Sequence, residues 1–228
     1  METLPAHIAI IPDGNRRWSE KNGKTKEEGY AIGIRHIGNV MKWCKEYKIK
    51  MLTMWGFSLD NFQRDSSEVK TLFELFKKNL KKALESDEKN KHDLRVRFFG
   101  RLYLFPPEIQ QMIKKAEEIS AKNKEYQLNL LLSYGGRAEI VDAINAIIKK
   151  GYKKVDEEIV SQHMYTAGIP DPDLIIRTSG EQRLSGLLPW QSVYSEFYFC
   201  KKLWPDFSKK DFEMALREYS KRKRRFGK

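Results

Sequence analysis

The sequence predicts a single α/β domain, 1–228, with a mostly parallel central β-sheet covered by helices on both faces. Three observations carry that expectation. The 228-residue chain is long for one compact domain and short for two, and no internal repeat, low-complexity tract or Pro/Gly/Ser linker divides it. Short apolar runs alternate with longer stretches of helical periodicity. Several of the short runs are almost wholly apolar, which suits strands buried on both sides of a parallel sheet.

The elements follow in order. His7-Ile8-Ala9-Ile10-Ile11 reads as the first strand, and the polar segment Asp13 to Arg17 turns from it toward a helix. Met51 to Trp55 reads as the second strand. On the helix after it, Val69, Leu72, Phe73, Phe76, Leu80 and Leu84 recur at three- and four-residue steps as one apolar face. Leu94 to Phe99 is the third strand, and Pro106-Pro107 opens the next helix, because proline is tolerated in a first turn. Leu128 to Leu132 is the fourth strand, and Ile140, Ala143, Ile144, Ile147 and Ile148 mark the helix behind it. Leu174 to Ile176 is the fifth strand.

Composition narrows the class. Hydrophobic residues at 40% and charged residues at 32% describe a soluble globular chain rather than a disordered one. No apolar run reaches the ~18 residues of a membrane span. Met1-Glu2-Thr3-Leu4-Pro5 has neither the basic nor the apolar region of a secretory signal. Cys44 and Cys200 lie far apart and outside any CxxC, so neither a metal cluster nor a disulfide framework is expected. The expectation is a reduced, cytoplasmic protein. The net charge of +12, with six positive residues in 221–228, calls for an anionic partner. Nucleic acid, acidic lipid and a phosphorylated small molecule all satisfy it. The aromatic residues follow no RNP-type pattern, so sequence-specific RNA reading has little support.

In open α/β sheets ligands gather beyond the carboxyl ends of the strands. Pro12 to Trp18 follows the first strand, Phe57 to Arg64 the second, Ser133 to Arg137 the fourth and Arg177 to Gly186 the last, and arginine recurs in every one. Convergent guanidinium groups suit a ligand with several phosphate charges. Asp13-Gly14-Asn15-Arg16-Arg17 is the sharpest segment. Gly14 allows close backbone approach, and Asp13 could hold Mg²⁺ together with phosphate oxygens. A plain strand-to-helix turn with solvated arginines is the alternative, and the residues alone leave both open.

Other sites can be dismissed. Gly23-Lys24-Thr25 lacks the P-loop glycine five positions earlier, where Trp18 stands, and no GxGxxG follows a strand. Gly56-Phe57-Ser58-Leu59-Asp60 ends in aspartate where a nucleophile elbow needs glycine. His7, His36, His92 and His163 form no cluster, and each reads as structural or exposed.

Taken in order, these segments resemble the cis-prenyltransferases, the undecaprenyl (or dehydrodolichyl) diphosphate synthase family. The resemblance runs from His7 to Gly227. It rests on His7 to Trp18, Phe57 to Arg64, Tyr134-Gly135-Gly136-Arg137, Asp173 to Glu181 with Arg183, Ser185, Trp190-Gln191 and Glu196, Leu203 to Phe207, and Arg224 to Gly227. The DDxxD pairs of the unrelated trans-prenyltransferases are absent from the sequence. The resemblance implies a fold with a hydrophobic tunnel and Mg²⁺-dependent condensation of isopentenyl diphosphate onto an allylic diphosphate primer. The product implied is a medium- to long-chain (Z)-polyprenyl diphosphate, precursor of a glycosyl-carrier lipid.

The resemblance also assigns roles. Asp13 matches the metal-holding catalytic aspartate, and Gly14, Asn15, Arg16, Arg17 and Trp18 match the allylic diphosphate cradle. Lys26, Tyr30, Ser58, Asp60, Phe62 and Arg64 fall at further substrate-binding positions. Asn61 matches a residue named as proton acceptor, although a neutral amide is better read as an orienter. Arg177, Arg183 and Ser185 match the isopentenyl diphosphate site, and Glu196 a second metal-associated carboxylate. A homodimer is implied, with Arg225 and Gly227 near the neighbouring site, together with transient membrane-surface contact for product release and no nucleic-acid partner. Lys26 and Tyr30 replace the family's usual arginine and histidine, Asp60-Asn61-Phe62 its Glu-Asn-Trp, Gln182 a histidine and Gly186 an asparagine. A catalytically silent partner subunit and a basic nucleic-acid-binding protein are the alternatives. The retained Asp13, Asn61, Arg177, Arg183 and Glu196 favour activity. For product length, Gly56, Leu132, Tyr126, Phe73 and Phe76 are the candidate tunnel residues, with ordinary core packing as the competing reading.

Overall fold

β1 (His7–Ile11) is shielded along its whole length, as a strand covered on both faces must be. It pairs in parallel with β2 (Met51–Ser58) on one side and β5 (Leu174–Arg177) on the other. β4 (Tyr126–Tyr134) and β3 (Leu94–Phe99) extend the sheet beyond β2, and β6 (Glu196–Phe199) extends it beyond β5. The order is β3-β4-β2-β1-β5-β6, and every pairing is parallel. The computed structural model describes residues 3–85 and 93–222. His92, Arg225 and Gly227 lie outside the described residues.

All five expected strands are present. β6 is the addition, and it escaped because a loop rather than a helix joins it to β5, so the strand–helix alternation gives no signal there. β2 also runs past Trp55. The pairs Trp55↔Leu131, Phe57↔Leu132 and Ser58↔Tyr134 leave Gly56 and Ser133 unmatched in a bulge, where Ser133 takes φ 47. That irregularity interrupts the apolar pattern by which the strand was read.

α2 (Lys26–Glu46), α3 (Ser66–Glu85), α4 (Pro107–Ser120) and α7 (Lys209–Lys221) pack on one face of the sheet. α5 (Gly136–Lys149), α6 (Glu157–His163) and the 184–188 segment take the other, against Ala9, Leu131, Tyr134 and Ile175. Short α1 (Asn15–Lys21) lies against α2. Capping boxes start two of these helices, Thr25 with Glu28 on α2 and Ser208 with Asp211 on α7. Pro107 sits in the first turn of α4, as expected. Cys44 and Cys200 are both buried and unbridged.

Under the second face a buried hydrogen-bond chain crosses three strands. Gln127 Nε2 donates to Asn129 Oδ1 at 2.8 Å, Asn129 Nδ2 to Thr53 Oγ1 at 2.9 Å, and Thr53 Oγ1 lies 2.7 Å from His7 Nε2. His7 Nδ1 is 2.8 Å from the Pro170 carbonyl, which can only accept, so Nδ1 carries the proton and Thr53 donates to Nε2. Burial pushes the imidazole down to about 4, against the raising effect of the Pro170 carbonyl and Asp173.

From β1 the chain adds β2 beside it, lays β3 at the far edge and returns with β4 between them, then crosses to the other side of β1 for β5 and β6. The strand order therefore reverses between β1 and β5, which opens a crevice beyond their carboxyl ends. Asp13 follows one of these strands and Arg177 ends the other.

Candidate active site

Asp13 is held at this crevice by its backbone. Its carbonyl accepts from Thr178 Oγ1 at 2.7 Å and from the Trp204 amide at 3.0 Å. Gly14 follows with φ 109, and a Cβ there would come within 2.8 Å of Leu203 Cδ2, so the turn demands glycine on both counts. Its carboxylate joins two arginines. Arg177 Nη2 donates to Oδ2 at 2.8 Å and Arg17 Nη2 to Oδ1 at 3.3 Å. Burial works to raise the Asp13 carboxyl, but the Arg177 hydrogen bond and the charges of Arg177 and Arg17 override it and hold the group below the usual carboxylate range.

Arg177 is the buried hub, with 5% of its side chain exposed. Its Nη1 donates to Ser185 Oγ at 2.8 Å and to the Arg183 carbonyl, which ties the 183–185 segment to β5. Its Nε is buried and finds no hydrogen-bond partner among the described residues. Glu181 accepts from both Arg17 and Arg183, so two carboxylates hold the arginine forks in place.

A second cluster faces these from α2 and α3. Glu68 accepts from Tyr30 Oη at 2.7 Å, Lys26 Nζ at 2.9 Å and Arg64 Nη1 at 3.0 Å. Burial opposes ionisation of Glu68, yet the hydrogen bonds from Tyr30 and Lys26 and the charges of Arg64 and Arg16 bring it down to about 2. Sequence reading missed Glu68. Its signal was the i,i+4 spacing from Arg64 at the start of the apolar helix face.

Two adjoining cavities meet at Asp13. A polar cleft of about 360 Å³ is bounded by Asp13 to Arg17, Tyr30 and Arg64. A larger cavity of about 630 Å³ shares Asp13, Asn15, Tyr30 and Arg64 at its mouth, adds Ser58, Asp60, Asn61, Arg177 and Ser185, and descends between the sheet and α2, α3 and α4. Its walls are Ile34 and Ile37 of α2, Leu72, Phe76 and Leu80 of α3, Val96 and Phe98 of β3, and Leu128, Leu130 and Leu132 of β4. Asn61 accepts the Ser58 amide on Oδ1 at 3.0 Å, which fixes the side chain at the mouth with its amide nitrogen as a donor. Among the described residues no metal-binding group of three or more His, Cys, Asp or Glu exists. Mg²⁺ shared with phosphate oxygens needs only one or two carboxylates, and Asp13 at the mouth supplies one.

Five expected site residues line neither cavity. The Trp18 indole donates to Asp206 at 2.7 Å and bounds neither cavity. Phe62 packs edge-on against Phe57 in an aromatic cluster with Phe73, behind the cavity wall. Lys26 reaches the mouth only through Glu68. Glu196 is not beside Asp13 within one chain: it pairs with Leu174, at the amino end of the sheet, and accepts from Arg222. Arg183 is exposed and held by Glu181, while its carbonyl serves Arg177.

Among the tunnel candidates, Gly56, Phe76 and Leu132 line the cavity, and a Cβ on Gly56 would come within 2.9 Å of Leu132 Cδ2. Leu132 is a neck rather than a floor, because the wall continues through Leu130 to Leu128, roughly 13 Å further at ~3.3 Å per residue. Phe73 belongs to the aromatic cluster. Tyr126 lies beyond the cavity, under the ammonium groups of Lys45 and Lys50.

A wholly parallel sheet, a cationic cradle at its switch point and a deep apolar pocket beneath define a transferase class whose substrates are polyanionic at one end and hydrocarbon at the other. Comparison with known proteins agrees. Residues 11–227 match the family described as "Putative undecaprenyl diphosphate synthase". The chain is 45% identical to an isoprenyl transferase of Thermus thermophilus, over 98% of this chain and 89% of that one. It is 43% identical to a tritrans,polycis-undecaprenyl-diphosphate synthase (geranylgeranyl-diphosphate specific) of Methanocaldococcus jannaschii, over 100% and 84%. Among solved structures, lavandulyl diphosphate synthase from Lavandula x intermedia, in complex with dimethylallyl diphosphate, superposes with a TM-score of 0.93 at 36% identity, covering all of both chains. The chain belongs to the undecaprenyl diphosphate synthase family and is a cis-prenyltransferase.

Proposed function

We propose that this prenyltransferase condenses isopentenyl diphosphate with an allylic diphosphate primer, with Mg²⁺, to give a medium- to long-chain (Z)-polyprenyl diphosphate that serves as precursor of a glycosyl-carrier lipid. One observation carries the reading: the arginine-lined mouth at Asp13 opens directly onto the apolar cavity, so a diphosphate head and a hydrocarbon tail fit one continuous site. Asp13 sits between two cationic sets, Arg16, Arg17 and Arg64 on one side and Arg177 with the 183–185 segment on the other. The first takes the allylic diphosphate and the second isopentenyl diphosphate.

In each cycle the allylic C–O bond breaks and the diphosphate leaves with the electron pair. A carbon–carbon bond then forms to the terminal alkene carbon of isopentenyl diphosphate, and a phosphate oxygen takes the proton lost. Fixed cations at the mouth favour the charge that builds on the leaving group. Mg²⁺, held by Asp13 with phosphate oxygens, would neutralise further charge there. Asn61, a neutral amide fixed through Oδ1 by the Ser58 N–H, orients a phosphate or water through its amide nitrogen rather than acting as base.

No helix among the described residues is long and apolar enough to cross a membrane. We place the enzyme in the cytoplasm, touching the membrane surface to release its product. Exposed Val141, Ile144 and Ile148 share one face of α5, an apolar strip suited to a homodimer partner. The test is incubation with labelled isopentenyl diphosphate and allylic primers of several lengths, with Mg²⁺ or with EDTA, followed by product chromatography. A ladder of five-carbon steps that EDTA abolishes is expected. No product from any primer would overturn the reading, and a single irregular condensation product would replace elongation with another linkage.

A further inference from the structure

The cavity wall is built mostly of apolar side chains and two indoles, and apart from Asn15 and Asn61 at the mouth it carries one amide side chain: Asn79 of α3. It shares a helix face with Leu72, Phe76 and Ala83, which also line the cavity, and its Nδ2 donates to the Leu75 carbonyl at 2.7 Å. Among the described residues this is its only hydrogen bond, so Oδ1 and one N–H have no protein partner. In an empty cavity water can satisfy them. A hydrocarbon tail that reached this depth would displace that water and offer nothing in return. Burying an unpaired amide is unfavourable by about 1–3 kcal/mol, roughly 5- to 150-fold in an equilibrium.

The depth is informative. Asn79 stands eleven residues beyond Glu68 at the mouth, roughly 16 Å along the helix axis. A five-carbon unit adds four carbon–carbon bonds of ~1.5 Å to the chain, about 5 Å in zigzag. The third or fourth unit therefore arrives at the amide. The cavity volume agrees independently, since about 630 Å³ holds on the order of 20 atoms at ~30 Å³ each.

We propose that Asn79 is a specificity-determining residue that biases chain length by polarity: tails longer than four units must pass its unpaired amide, which weakens their hold and shifts release toward the medium end of the proposed product range. The inference rests on the reading of the cavity as the tail site, and both can be tested in one design. Purified wild type, Asn79→Leu, Asn79→Ala and Asn79→Met are compared in product chromatography with the same primer and excess isopentenyl diphosphate. Calorimetry with prenyl diphosphates of increasing length provides a readout independent of turnover.

Leucine keeps the branched shape of the asparagine side chain without its amide, and its methyl groups take more room, so any lengthening by Asn79→Leu is not a gain of space. Asn79→Leu should lengthen the main product by one or more five-carbon units. It should also strengthen binding of tails longer than four units at least 5-fold, while leaving shorter tails within twofold. If Asn79→Leu misfolds, Asn79→Met carries the same test. An unchanged product and an unchanged length dependence in Asn79→Leu would overturn the proposal, as would lengthening by Asn79→Ala alone, which marks a purely steric stop. If no prenyl diphosphate binds wild type at any length, the reading of the cavity fails instead, and the proposal falls with it.

Discussion

At the scale of single residues, Asp13 and Arg177 are a pair with unequal freedom. Asp13 is partly open to solvent, whereas Arg177 is almost fully enclosed and serves three acceptors. Truncating Asp13 leaves Arg177 its contacts with Ser185 and the Arg183 carbonyl, so the fold should survive. Asp13→Ala is expected to lower turnover at least ~10²-fold in a chain that still melts cooperatively, and near-normal rates with Mg²⁺ would refute its role. Arg177→Ala cannot be read as cleanly, because it frees a loop and leaves a carboxylate without its closest cation. Arg183 is the better probe of the side proposed for isopentenyl diphosphate. Its side chain is 59% exposed, so Arg183→Ala should raise the KM for isopentenyl diphosphate several-fold, about 1 kcal/mol. A change confined to the primer's KM would mean that the two subsites are exchanged.

At the scale of elements, the strand ends were legible and the contacts across them were not. Asp13, Arg17 and Arg177 announce themselves because small, charged residues follow apolar runs. Glu68 does not, since a glutamate near a helix start is ordinary until Tyr30 and Lys26, some forty residues earlier, close on it. Glu196 was legible as a carboxylate beside a strand, but only register reveals that it begins β6 while the cradle lies beyond the strands' other end. Trp18 and Phe62 were read as ligand contacts because they sit inside motifs; their packing against Asp206 and Phe57 is long-range or bulge-dependent.

The cross-strand chain at His7 yields a prediction of its own. Its folded-state value of about 4 lies below the ordinary 6.5, so its contribution to stability is present above pH 6.5 and is lost as pH falls toward 4. That contribution is about 3 kcal/mol. Melting curves from pH 7 to pH 4 should fall more steeply for wild type than for His7→Gln. Parallel curves would mean that the imidazole does not control the acid limb.

At the scale of the whole molecule, the apolar strip along α5 is the least self-sufficient surface. Ile148 is 69% exposed, so a charge there should not disturb the monomer's core. Light scattering should report a dimer for wild type and a monomer for Ile148→Glu, with the melting temperature of the Ile148→Glu chain reporting that it still folds. A wild-type monomer at micromolar concentration would rule out this interface.

The strand order has a consequence for how such a molecule can change. Asp13 and Arg177 hang from the ends of β1 and β5, on one side of the sheet's centre, while most of the deep cavity wall belongs to α3, α4, β3 and β4, on the other. The two share only the mouth. Bond-making and length-gauging are thus separate dials on one instrument, and a substitution deep along α3 can retune the product while the reacting groups keep their places. A lineage carrying this architecture can explore new chain lengths without first surrendering its chemistry.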